Sequence, residues 1–244
     1  MIYLEPLVEL RAAFERLTMV PLTVTAEMRS GLCDYEPLHL DGLLAKAVIV
    51  ATLHTQTLPD TNDPYMIPLP LARLWTSPEG LPLWASSVFR PVGVTTAHTT
   101  YIHKRNATMR FSNKDRLVTR KGRYMERRIP IPTTTARAWE ARCIGDRDRI
   151  LDLLAQFDYI GKHRSRGLGA VSRWRVEPAD WSPTDIWRDG ATLIKPVPVE
   201  AELLELWPHK PTRIGWTPPH WLPALFTLGW QPGTSTQAVD QFAA

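Results

Sequence analysis

The chain has 244 residues, 44% of them hydrophobic and 22% charged, with a formal net charge of +4. That length and composition supply a large folded core and exclude a disordered or low-complexity chain. No stretch approaches about 18 consecutive apolar residues, and Met1 to Pro6 lack the basic segment and apolar run of a secretory leader, so a cytoplasmic protein without membrane association is expected.

Cys33 and Cys143 stand far apart, with no second Cys or His cluster at ligand spacing. Neither a zinc site nor a disulfide framework is signalled, and no metal or other cofactor is expected. The modest net charge hides a segregation. From Tyr101 to Arg128 ten basic residues face only Asp115 and Glu126, a local charge of +8, and Gly161 to Val176 carries five basic residues and no acid, leaving the rest of the chain at −9. Two positive segments on an acidic body suit a polyanion whose phosphates give up counterions on binding.

Taken in chain order, residues 5–17 place Leu7, Leu10, Ala13, Phe14 and Leu17 at helical spacing behind Pro6, which predicts a helical N-terminal extension over residues 1–19. Leu22, Val24, Ala26 and Met28 then alternate with Thr23, Thr25, Glu27 and Arg29, the period of a half-buried strand ended by Ser30-Gly31. Leu40, Leu43, Leu44, Ala47, Val48 and Ala51 predict an amphipathic helix over residues 39–53. Residues 54–82 are rich in Pro, Thr and Asp and read as an irregular connection. Two extended runs, 83–94 and 124–135, bracket the basic segment, placing it on a finger inserted at about residues 101–128. Asp146 is a candidate N-cap for a second helix with Ile150, Leu153, Leu154 and Phe157 on its apolar face, and residues 170–176 read as the last strand. The order β, α, β, β, α, β predicts an α+β, ferredoxin-like (RRM-like) domain over residues 20–177, with the finger as a basic thumb-like insertion. Seven of the ten tryptophans lie from Trp174 onward, interleaved with prolines, so residues 178–244 are expected to form an irregular Trp/Pro-rich C-terminal extension that wraps the domain or meets a partner.

The segment before the last strand carries the clearest chemistry. Gly161, Gly167 and Gly169 can adopt backbone angles closed to other residues, which lets successive amides face one anion, while Lys162, Arg164 and Arg166 alternate along the loop, with His163 and Ser165 between them as further donors. This is a phosphate clamp. The spacing of a Walker A loop is absent, and the loop follows a helix instead of opening one, which argues against an NTPase. In the finger, Arg110, Lys114, Arg116, Arg120, Lys121 and Arg123 are the residues expected beside a nucleic-acid backbone, with Tyr101, Phe111 or Tyr124 available to stack on a base.

Gly161-Lys162-His163-Arg164-Ser165-Arg166-Gly167-Leu168-Gly169 resembles the G-loop of the RAMP superfamily of CRISPR proteins, and Pro37-Leu38-His39-Leu40-Asp41-Gly42-Leu43-Leu44-Ala45 is similar to the opening of the first helix in the type IV effector subunit of the fifth Cas family. With the order of elements, the resemblance covers residues 22–176. It implies a non-catalytic subunit of an RNA-guided effector complex that binds the 5′ handle of the guide RNA and helps nucleate the backbone. Its partners would be the guide RNA, the backbone subunit, which the finger would touch, and the large subunit. Contact with target DNA near the protospacer-adjacent motif stays open.

The resemblance also implies an alternative, because relatives cut precursor guide RNA without metal. Such a cut needs a base for the 2′-hydroxyl proton and an acid for the leaving oxygen, work most often done by His. His39 and His163 are the candidate pair, the first opening a helix and the second lying in the phosphate loop. Scattered His among many Arg fits a holder better than a cutter, so no catalytic residue is assigned.

Overall fold

A computed structural model describes residues 5–33, 35–53, 65–104, 127–204 and 207–234. In chain order these contain α1 (Glu5–Phe14), β1 (Val20–Met28), β2 (Leu32–Cys33), α2 (Leu40–Leu53), β3 (Arg73–Thr76), β4 (Pro82–Trp84), β5 (Arg90–Val92), β6 (Thr96–Lys104), β7 (Arg127–Thr135), β8 (Ala138–Gly145) and α3 (Arg147–Leu154). There follow β9 (Val171–Pro178), α4 (Pro183–Trp187), β10 (Arg188–Asp189), β11 (Thr192–Leu193), β12 (Val197–Pro198), β13 (Thr212–Gly215) and β14 (Phe226–Trp230). No helix among the described residues is long and apolar enough to cross a membrane.

The main sheet has the order β5-β8-β1-β9, with every neighbouring pair antiparallel. With α2 between β1 and β5, and α3 between β8 and β9, this is the ferredoxin-like arrangement that the sequence predicts. Successive strand residues point to opposite faces, so Leu22, Val24 and Ala26 of β1 share one face with Trp139, Ala141 and Cys143 of β8 and Val176 of β9, and all are buried. Leu40, Leu44 and Val48 of α2 and Ile150 and Leu154 of α3 join them in one core, which Leu7 and Phe14 of α1 extend. Full burial of each such aliphatic side chain contributes about 1.5–3 kcal/mol. Asp146 caps α3 as expected, its carboxylate accepting from the Arg149 amide at 2.9 Å.

The third strand of the core differs from the one expected. It is β8, while the run 124–135 supplies β7, which pairs antiparallel with β6 from Thr96 opposite Thr135 to Lys104 opposite Arg127. Pro130 and Pro132 fit the exchange: each lacks an N–H to donate, and β7 has β2 on its second side only at Thr133 and Thr134, so its proline-bearing part is paired on one side alone among the described residues. β8 has no proline and sits between β5 and β1. The hairpin of β6 and β7 is the root of the finger, with β2 along one edge. Residues 105–126, which include Arg110, Lys114, Arg116, Arg120, Lys121 and Arg123, lie outside the described residues.

The first part of the chain after Pro178, from Trp181 to Asp189, lies on the other face of the main sheet. The Trp181 indole N–H donates to Thr23 Oγ1 at 3.1 Å, and the Arg142 guanidinium lies 4.3 Å from the centre of the Trp181 ring. Arg142 also reaches Asp189 Oδ1 at 2.9 Å and the Asp185 carbonyl at 3.2 Å, and Arg90 pairs with Asp189 as well. Farther on, β12, β14 and β13 form a three-stranded sheet, and Trp216, Leu222 and Leu225 enter the main core. The extension therefore wraps the domain.

The placement of β8 is open to a chemical test. Cys143 is fully buried, and burial pushes its thiol well above the ordinary range. A thiol reagent followed by peptide mass mapping should leave Cys143 unmodified in the folded protein and modify it once denaturant is added. Rapid modification of the native protein would put residues 138–145 outside the sheet.

Candidate nucleic-acid interface

The loop from Tyr159 to Ala170 leaves the core and returns to it through an isolated bridge between those two residues. Ile160 donates its amide to the Gly169 carbonyl at 2.9 Å, and Gly169 donates to the Gly31 carbonyl at 2.8 Å. Two of the three glycines sit where a side chain would collide with a neighbour, backbone in one case and a leucine side chain in the other. A Cβ on Gly169 (φ +74°) would fall 1.8 Å from the Ile160 carbonyl oxygen, and one on Gly161 (φ +75°) would fall 2.5 Å from Leu32 Cδ1. Gly167 (φ +79°) faces open space and serves the turn alone.

Between the glycines, His163 is left-handed (φ 59°) and is followed by a 3-10 turn over Arg164–Arg166. A left-handed residue before a right-handed one makes a shallow nest of amides that suits an anion. The amides of Arg166 and Gly167 are spent inside the turn, on the carbonyls of His163 and Arg164 at 2.9 Å each. Those of Gly161, Lys162, His163, Arg164 and Ser165 make no backbone hydrogen bond among the described residues. Of the glycines, Gly161 therefore keeps an amide without a backbone partner, while those of Gly167 and Gly169 are taken. Arg164, Ser165 and Arg166 are exposed, and neither arginine pairs with a carboxylate among the described residues. Lys162 is less free: its ammonium lies 3.1 Å from Glu36 Oε2 and 5.7 Å from the Tyr35 ring centre.

β2 joins this loop to the finger. Leu32 packs under Gly161 while Leu32 and Cys33 pair with Thr134 and Thr133 of β7. Tyr35 makes a second tie, donating its hydroxyl to the Pro130 carbonyl while its ring meets His163 edge-on at 5.9 Å. At the finger's root Arg128 lies 3.7 Å over the half-exposed Tyr101 ring. The structure therefore brings the glycine loop and the base of the basic finger together, although 101–128 and 161–169 are separate in sequence.

Beside the loop lies a cavity of about 760 Å³, lined in part by Lys162 and Arg164, with His39 and His220 at the start of α2. Beneath it is a cluster of charges. Asp41 and Lys195 are each 1% exposed, and Asp41 Oδ2 accepts from Lys195 Nζ at 2.9 Å. Asp41 Oδ1 takes the Gly42 amide at 2.8 Å and His220 Nε2 at 2.9 Å, and His220 Nδ1 meets the Gly215 carbonyl at 2.9 Å. Both ring nitrogens of His220 thus lie within hydrogen-bond distance of an oxygen. Burial alone raises Asp41, but the Lys195 ammonium and the His220 ring more than offset it and hold the carboxyl well below the ordinary carboxylate range. His39 stacks on His220, with centroids 4.1 Å apart and 25° between planes, and burial followed by that neighbour holds it well below the usual histidine value.

Donor atoms of His39, Asp41 and His220 lie within 4.8 Å of one another, a grouping of the kind that binds metals. Here both carboxylate oxygens are already engaged and an ammonium stands where a cation would compete, so the cluster reads as an ion-pair anchor. The pair singled out from sequence is not brought together: His39 partners His220, and His163 partners Tyr35. Lys195 and His220 were missed. The available signal was Lys195 itself, a charge inside the apolar run Leu193-Ile194-Lys195-Pro196-Val197, opposite Asp41 between the apolar residues Leu40 and Leu44.

Asp41→Ala should lower stability by about 3–5 kcal/mol, because it strands a buried ammonium. Lys195→Met added to Asp41→Ala should recover part of that loss. A carboxylate depressed on folding stabilises above its unfolded value, about 4, and that contribution fades as the pH falls further; a depressed histidine works in the same direction from about 6.5 downward. Urea titrations from pH 7 to pH 3 should show falling stability, less steeply in Asp41→Ala. An equal slope in both proteins would remove Asp41 from the account.

No curated protein matches the chain. The family model described as CRISPR type IV associated protein Csf3 matches residues 92–224, from the end of β5 through the finger, β8, α3, the glycine loop and most of the C-terminal extension. That span is more than half of the 244 residues. The chain therefore belongs to the Csf3 family of type IV CRISPR-associated proteins.

Proposed function

We propose that this subunit of a type IV CRISPR complex holds guide RNA without cutting it, gripping the 5′ handle between the glycine loop and the basic finger. The observation that carries the reading is the junction at β2 and Tyr35, which sets the exposed Arg164 and Arg166 and the amides of His163–Ser165 beside the root of a +8 insertion. Cations of this kind neutralise phosphates and give affinity without reading sequence. The resemblance of the loop to RAMP proteins supports the same role. RRM-type binding across the open sheet is disfavoured, because Trp181 and Arg142 cover that face. In this reading the finger reaches the backbone subunit, the large subunit and target DNA are further neighbours, and the complex works in the cytoplasm.

The alternative, metal-independent cleavage of precursor guide RNA, would rest on His39 and His220. An acid and a base must flank the scissile phosphate. Two rings stacked face to face at 4.1 Å, one fixed by Asp41 and Gly215, leave no room for a phosphate between them, which favours holding over cutting.

Arg164→Ala with Arg166→Ala should weaken RNA binding and reduce the slope of log affinity against log salt by about one for each phosphate no longer neutralised. Thermal stability should stay within about 0.5 kcal/mol, since both side chains are exposed. Unchanged affinity at two salt concentrations would remove the loop from the RNA site.

A further inference from the structure

Trp181 and α4 lie over one end of the main sheet's outer face, at Thr23 and Arg142. Glu27 stands four residues further along β1, about 13 Å away at the rise of a strand. At that far end the adjacent strands β8, β1 and β9 each bring an exposed arginine. Arg137 leads into β8, where its carbonyl accepts from the Met28 amide at 3.0 Å. Arg29 directly follows β1, and Arg173 of β9 stands opposite Glu27. Neighbouring strands lie about 4.8 Å apart, so the backbone from Arg137 across β1 to Arg173 spans about 10 Å.

None of the three arginines pairs with a carboxylate among the described residues. The Arg29 guanidinium is held by a neutral group, the Val171 carbonyl at 2.9 Å, which fixes its place and leaves its charge uncompensated. Two acids share this end of the sheet: Glu27, engaged by Arg175 at 3.2 Å, and the exposed Asp158, whose carbonyl accepts from the Val171 amide at 2.9 Å. Unpaired arginines on neighbouring strands are the electrostatic footprint of a polyanion site.

This end of the sheet is joined to the glycine loop by hydrogen bonds. Gly169 donates to the Gly31 carbonyl at 2.8 Å, Ala170 donates to Ser30 Oγ at 2.9 Å, and the Arg29 amide donates to the Ala170 carbonyl at 2.8 Å. The last residues of the loop and the run from Arg29 to Gly31 are therefore held side by side.

We propose that the sheet end is a second phosphate site, over which the backbone of a single-stranded RNA held at the glycine loop continues, with Arg29, Arg137 and Arg173 neutralising phosphates without reading bases. This path rests on the loop being the phosphate site. It gives a role to Arg173, the one basic residue of 161–176 that neither lies in the loop nor pairs with an acid.

The test uses the full chain and a single-stranded RNA of mixed sequence, with affinity measured over a range of salt. Arg29 stays in place in every variant, because its guanidinium also holds Val171. Arg137→Ala with Arg173→Ala should weaken binding about tenfold at low salt and reduce the slope of log affinity against log salt by about 1.4, the value for two single-strand phosphate contacts. The melting temperature should not move, since both side chains are exposed and unpaired. Arg137→Lys with Arg173→Lys, which keeps both charges, should keep the slope. Unchanged affinity and slope in the alanine pair, with Arg164→Ala/Arg166→Ala impaired, would overturn the second site and leave the loop as the phosphate site. Undiminished affinity in both alanine pairs would overturn both. Loss of a partner subunit from the alanine pair, with RNA affinity kept, would also overturn the second site, assigning these arginines to a protein interface.

Discussion

One buried carboxylate ties two separate stretches of the C-terminal extension to the core. Asp41 at the first turn of α2 accepts from Lys195 and His220, which come from two separate stretches of the C-terminal extension. Removing two full charges from water costs several kcal/mol per ion, and the attraction offsets it only where the remaining donors and acceptors are satisfied. The carboxylate is well supplied here: Gly42 gives it a further donor, and the Gly215 carbonyl lies 2.9 Å from the other ring nitrogen of His220. An apolar contact would tolerate sliding, but a buried ion triad has few acceptable geometries. The anchor thus fixes the register of the extension on the core, and with it the positions of Ile194, His220 and Trp221 around the cavity.

The same wrapping decides which surfaces remain for nucleic acid. In an RRM-like domain the sheet face away from the helices is the usual platform for RNA. In this chain that face carries Thr23, Glu140 and Arg142, and it is capped by Trp181 and α4, with Asp185 and Asp189 engaging Arg142 and Arg90. The positively charged surface moves to the edge, where the glycine loop and the finger's root meet. The ferredoxin-like fold is kept while the C-terminal extension occupies the sheet face that would otherwise be open.

What could be read from sequence was local. β1, α2 and α3 announce themselves by periodicity over 8 to 14 residues, and the Asp146 cap by its position ahead of an apolar face. β8 was hidden because its outward residues include Glu140 and Arg142 and its inward ones include the small Ala141 and Gly145, giving weak contrast, while the preceding Ile129 to Thr135 looked more like a strand. The positive-φ positions of the loop could be read from its glycines, and Gly161, Gly167 and Gly169 do adopt them, but the left-handed His163 and the close crossing of Gly169 over Ile160 could not. The ion triad was out of reach, since Asp41 lies 154 residues from Lys195 and 179 from His220, and no local pattern links them.

Packing also sorts the basic residues in a way that counting cannot. Arg90 and Arg142 are consumed by Asp189, Arg175 by Glu27, and Arg147 by Asp148 and the Val176 carbonyl. Lys162 is held only by Glu36, in an exposed ion pair of the sort worth about 0–1 kcal/mol, which a phosphate can displace. Arg164 and Arg166 have no carboxylate partner among the described residues and already stand on the loop. Of the +5 carried by residues 161–176, part therefore neutralises the protein's own acids and part is left for a polyanion. On the proposed reading, binding at this edge would be set by a few exposed cations and amides, and the net charge of the whole chain says little about it.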